Sequence, residues 1–79
     1  MKINITDHAR DRMRKYGITE DMIKEALVKP DCVLEGYSGR KIAQKALSEK
    51  YLLRVIFEVE EGVITVVTCY KAKRARYEC

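Results

Sequence analysis

One histidine and no CxxC pair leave this chain without a ligand set for zinc, and no metal or other cofactor is expected. The three cysteines, Cys32, Cys69 and Cys79, are an odd number at wide spacing. That pattern argues against a disulfide framework and for free thiols in a reducing cytoplasm. Cys32 and Cys69 fall inside apolar strand-like runs and read as small core residues. Nothing approaches the run of about 18 apolar residues that a membrane span needs. The opening MKINITDHARD has no apolar export segment either, so neither membrane insertion nor secretion is expected. At 79 residues the chain forms one domain, 1–79, too short for a dinucleotide fold or a TIM barrel.

What is present is charge, unevenly placed. Residues 1–16 carry five cations and two carboxylates, residues 71–79 four and one, while the stretch between is net acidic. If the two ends meet, they form one basic patch of the kind that meets a phosphate-rich partner. The bland alternative is that basic termini only keep a small protein soluble.

The chain reads as helices first and strands after. Ile3 and Ile5 alternate with polar residues as in a short edge strand. Thr6 suits a helix N-cap, Asp7 its first turn, and Ala9, Met13 and Tyr16 fall on one stripe before Gly17. Thr19 caps a second helix, whose inward residues are Met22, Ile23, Ala26 and Leu27, and Pro30 limits it to about Val28. Beyond Pro30, residues 31–37, 40–47, 51–59 and 63–70 read as strands. The expected fold is α+β: an N-terminal αα-hairpin packed on one face of a four-stranded antiparallel sheet.

The last hairpin admits a register argument. A two-residue Glu-Gly loop would force Glu61 to positive φ, so a three-residue loop, Glu60 to Gly62, is expected. Arg54 then lies opposite Thr68, and Leu52 opposite Tyr70. Leu53, Val55, Phe57, Val63, Thr65, Val67 and Cys69 meet the helices, and the face with Arg54, Thr68 and Tyr70 stays open.

Candidate site residues follow. Histidine is the side chain that titrates near neutrality unaided, so His8 is either a proton carrier or a helix-end residue bonded locally. Arg10 has Asp7 and Arg14 has Asp11 at helical spacing, whereas Arg12 has no carboxylate there. Arg12 is therefore held for an external anion or pairs with a distant carboxylate such as Glu35 or Glu58. Arg54 interrupts an apolar strand, as a cross-strand ion pair or a phosphate-facing guanidinium. In the ending, Lys71, Lys73, Arg74 and Arg76 alternate with Tyr70 and Tyr77, a composition suited to single-stranded RNA or to a solvated tail.

Three stretches, ITDHARDRMRKYGIT, VITVVTCY and YKAKRARY, resemble the domain of unknown function 4258 family over nearly the whole chain. The chain departs from that pattern at Tyr16-Gly17, where the family carries Arg. The resemblance implies the compact fold of RelE-type and barnase-type ribonucleases and a metal-independent, toxin-like activity on RNA. It also leaves room for a neutralising protein partner. The chain itself is expected to be a monomer or weak homodimer.

On that reading the protein binds RNA and acts as an endoribonuclease. His8 is the base or acid, Arg12 and Arg54 hold the phosphate, and Thr68 and Tyr70 orient it. Lys71, Lys73, Arg74, Arg76 and Tyr77 bind flanking RNA. The alternative is a non-catalytic adaptor that binds RNA or an acidic protein through the same surface. Convergence separates them: an enzyme needs His8, Arg12 and a sheet residue at one point, and an adaptor does not.

Overall fold

A computed structural model describes residues 2–77 and 79. Strand β1 (Lys2–Ile5) leads into helices α1 (Asp7–Tyr16) and α2 (Glu20–Val28). Strands β2 (Cys32–Glu35), β3 (Lys41–Ala46), β4 (Tyr51–Glu60) and β5 (Val63–Lys73) follow. Short 3₁₀ turns occupy Tyr37–Gly39 and Arg74–Arg76.

The helical hairpin forms where local chemistry calls for it. The Thr6 hydroxyl accepts from the Ala9 N–H at 3.1 Å, and Asp7 sits in the positive first turn of α1. Gly17 ends that helix at φ 66°, donating to the Met13 carbonyl. Thr19 caps α2 through the Met22 N–H at 3.2 Å, and the helix stops at Val28, two residues before Pro30. Ala9, Met13, Ile23 and Ala26 are buried and pack with Leu53, Val55, Val66 and Cys69 on one face of the sheet.

The sheet has five strands in the order β1-β5-β4-β3-β2, and it is mixed rather than four-stranded and antiparallel. The extra strand is β1, parallel to β5 with Lys2 beside Val63 and Ile5 beside Val66. A meander alone would leave the start of β5 as an open edge; β1 covers it and brings Ile3 and Ile5 against the core.

The hairpin register also departs from expectation, in two steps. The loop is the two-residue one, Glu61 at φ 51° and Gly62 at φ 78°, so Glu60 pairs with Val63. Positive φ at both positions matches the strand twist, which offsets the strain on Glu61. A bulge at Val67 then shifts the pairing, and the Thr6 hydroxyl donates to the bulged carbonyl at 2.9 Å. Arg54 therefore faces Tyr70 and Leu52 faces Ala72, not Thr68 and Tyr70. The bulge also swaps faces along β5: Ile64 and Val66 join Cys69 in the core, while Val63, Thr65 and Val67 are half-buried. Among the described residues, no helix is long and apolar enough to cross a membrane.

Candidate nucleic-acid interface

Alternation along β4 sends Leu53 and Val55 into the core and Leu52, Arg54 and Ile56 to the face without helices. Arg54 lies between Gln44 of β3 and Tyr70 of β5. Its Nη1 donates to the Tyr70 hydroxyl at 2.8 Å, and its guanidinium carbon stands 4.0 Å from the centroid of the Tyr77 ring. Arg54 is only 8% exposed, forms no ion pair among the described residues, and keeps Nε without a hydrogen-bond partner there. Burial pushes the Tyr70 phenol above its ordinary range against the pull of the Arg54 charge, so at neutral pH it is a hydroxyl and not a base.

The face is not open at this end, because the segment after β5 folds back over it. The Arg74 N–H donates to the Lys50 carbonyl at 2.9 Å and its guanidinium to the Ser48 carbonyl at 3.1 Å. Tyr77 then lies on Arg54, its carbonyl accepting from Gln44 Nε2 at 3.3 Å. Cys79 is joined to Cys32 by a disulfide, with their Cα atoms 5.9 Å apart. The expectation of no disulfide fails here, and with it the cysteine argument for a reducing compartment. Cys32, expected in the core, lies instead half-buried at the start of a largely exposed edge strand, where a cysteine 47 residues away can reach it. Cys69 is buried as expected, and burial raises its thiol pKa, opposed by the charge of Arg12. Iodoacetamide should therefore leave the oxidised native protein unmodified and label Cys32 and Cys79 after reduction, as mass spectrometry can verify.

Tyr77 stands between two clefts. One, of about 670 Å³, runs along β5 and is lined by Tyr51, Tyr70, Lys71, Lys73, Arg76 and Tyr77. No carboxylate lines it among the described residues. The other, of about 520 Å³, lies toward β3 between Gln44, Leu52, Arg74 and Cys79, with Asp31 and Lys45 at its wall.

The remaining candidates are elsewhere. His8 is exposed and Arg12 half-buried on α1, on the helix-bearing side of the sheet. Glu58 pairs with Arg40 at 2.8 Å and Glu35 with Lys41 at 3.2 Å, so neither distant carboxylate proposed for Arg12 is its partner. Arg12 has no ion pair among the described residues. Arg14 pairs with Asp11 as expected, whereas Arg10 reaches Glu20 at 3.1 Å across the Gly17 turn instead of Asp7. Thr68 shares the Arg54 face, opposite Ile56. The structure thus groups Arg54, Tyr70 and Tyr77, with Arg76 along the same cleft. Lys71 and Lys73, opposite Leu53 and Tyr51, alternate toward the helix-bearing side and border that cleft at the edge of β5, while His8 and Arg12 lie apart on α1. Gln44 was not anticipated; a lone amide in the strand KIAQKA is its only sequence signal. Among the described residues, no three His, Cys, Asp or Glu side chains gather as a metal site.

Fold and site together define a small α+β domain, a helical hairpin on one sheet face and a basic, tyrosine-lined cleft by the other. The chain belongs to the family described as "Domain of unknown function (DUF4258)", whose model matches residues 5–71. No curated protein and no solved structure matches it.

Proposed function

We propose that this domain binds single-stranded RNA along β5 and the segment that follows it. The observation that carries the reading is Arg54, a guanidinium held more than nine-tenths buried with no carboxylate partner among the described residues. A buried charge is costly unless compensated, so such an arrangement suits a group that awaits an external anion. Lys71, Lys73 and Arg76 extend the positive surface along the adjoining cleft, and Tyr51 and Tyr77 offer rings on which bases can stack. Both net-basic ends of the chain attach to β5, since α1 packs on it and the segment after it prolongs it.

The reading is of binding rather than RelE-type cleavage. A metal-independent cut needs a proton carrier beside the phosphate. The only histidine is on α1, across the sheet from Arg54, and the Tyr70 phenol is held protonated. Purified protein should leave RNA intact while binding it, and a cut that survives EDTA would restore the catalytic reading.

Fluorescence anisotropy with a labelled oligouridylate tests the binding. About micromolar affinity is expected, with log affinity falling linearly in log salt. Replacing Lys71, Lys73 and Arg76 by glutamine should flatten that slope by about 0.7 for each phosphate no longer neutralised. Absence of binding at low salt would sink the reading and leave an adaptor for an acidic protein.

A further inference from the structure

The two clefts meet at Tyr77, which lines both. Beneath lie Arg54 and Gln44, cross-strand neighbours that are 8% and 1% exposed. Each keeps a polar atom without a partner among the described residues, Arg54 Nε as donor and Gln44 Oε1 as acceptor. The amide orientation is fixed, because the Tyr77 carbonyl can only accept and must face Nε2. Native structures leave few buried polar groups unpaired, so the free Arg54 Nε–H marks a place built for an anion. Gln44 Oε1, an acceptor, does not bind one, and Gln44 contributes its Nε2 donor once the Tyr77 carbonyl is withdrawn.

Arg74, bonded to the Lys50 and Ser48 carbonyls, anchors the start of the segment. Beyond it, Tyr77 and Cys79 are held by weak, reversible contacts, the Tyr77 ring on Arg54 and the Gln44 amide on the Tyr77 carbonyl and Cys79 Sγ. The remaining attachment is the covalent Cys32–Cys79 bond. The main core lies on the other face, around Leu53, Val55 and Val66, so lifting Tyr77 does not open it.

We propose that the Cys32–Cys79 disulfide is a redox latch over an anion subsite formed by Arg54 and Gln44. While the bond is intact, Tyr77 covers the subsite; reduction by a dithiol frees Tyr77 and Cys79 to swing away and admits an RNA phosphate. The identity of the anion rests on the RNA-binding reading; the opening itself does not. In the chemical step a thiolate of the dithiol attacks Sγ of Cys79, the more exposed partner. The S–S electron pair leaves on Cys32 Sγ, where Gln44 Nε2, 3.5 Å away, donates to the new thiolate before it takes a proton. The second thiol of the reductant then attacks the mixed disulfide, releasing Cys79 as a thiol. Two electrons and two protons pass to the protein, and the reductant departs as its cyclic disulfide.

The test compares oxidised protein, protein reduced with dithiothreitol, and Cys79→Ser. Access to Arg54 is read without RNA, by phenylglyoxal labelling quantified in peptide mass spectra against the exposed Arg14. Affinity is read in parallel with a fluorescein-labelled oligouridylate. Reduction and Cys79→Ser should each speed Arg54 labelling and tighten binding by about tenfold or more, with dithiothreitol adding nothing to the variant. Equal Arg54 labelling in oxidised and reduced protein would overturn the latch. Faster labelling with unchanged affinity would overturn its control of binding. Faster labelling with no oligouridylate bound in either state upholds the latch and overturns the RNA interface instead. Circular dichroism accompanies each sample: loss of the folded signal on reduction would make the bond a staple of the whole fold and overturn the proposal. If Cys79→Ser alone fails to fold, reduced wild type carries the comparison.

Discussion

In the reduced protein, replacing Arg54 by methionine should lower oligouridylate affinity by about 10- to 100-fold, the effect of losing charged hydrogen bonds worth about 1.5–3 kcal/mol. The same substitution should leave the fold about as stable as wild type, or more so. Breaking a buried ion pair destabilises because the partner charge is stranded, but Arg54 has no ion-pair partner among the described residues to strand. What disappears is one bond to the Tyr70 hydroxyl, which is itself only half-buried, and the stacking of a cation on Tyr77. A methionine thioether of similar length keeps favourable contact with that ring without the desolvation of a charge. Urea unfolding and anisotropy on the same preparation decide the matter, with the exposed Arg14→Met as a control expected to change neither. A large fall in stability at unchanged affinity would show Arg54 to be a clamp for the segment above it and not a phosphate site.

Much of the helical part was legible because its determinants are local. Thr6, Gly17, Thr19 and Pro30 mark helix ends through contacts within four residues, and those ends fall where read. Local spacing also gives Arg12 no carboxylate on its own helix but leaves open whether it pairs at a distance; among the described residues it has no ion pair, and Glu35 and Glu58 are engaged by Lys41 and Arg40. The partner of Arg10 was not legible, since its long side chain chooses Glu20 over a nearer carboxylate. The sheet depended on contacts that sequence spacing does not carry. Ile3 and Ile5 announce a strand but not its partner, which is set by the open edge of β5. The run Val63–Tyr70 is apolar on both sides, so no alternation revealed the bulge at Val67, where a hydroxyl 61 residues away takes the carbonyl. For the site, Arg54 and Tyr70 were read on one face, but the cover was missed. Its position depends on Cys79 meeting Cys32, a long-range pairing that an odd cysteine count obscures.

Leu53 is the neighbour of Arg54 and should behave in the opposite way. It is fully buried at the centre of β4, paired with Lys45 and Lys71 across the sheet while its side chain packs among Ala9, Met13, Ile23 and Cys69. Truncation to alanine removes the transfer free energy of the deleted methyl groups and leaves a cavity, together about 3–5 kcal/mol. A chain of 79 residues has a total stability of about 4–12 kcal/mol, so this one change removes a large share of it. The melting temperature should fall by at least about 12 °C, given about 4–8 °C for each kcal/mol in a domain this small. Val59→Ala, at a site 54% exposed on the same strand, should shift it by no more than a few degrees, which separates burial from strand propensity. Below its own melting transition Leu53→Ala should still bind oligouridylate as wild type does, because the altered side chain lies on the helix face and the Arg54 surface is untouched. Weakened binding by fully folded Leu53→Ala would mean that the two faces of β4 are energetically coupled, and the division of core from interface across this strand would have to be abandoned.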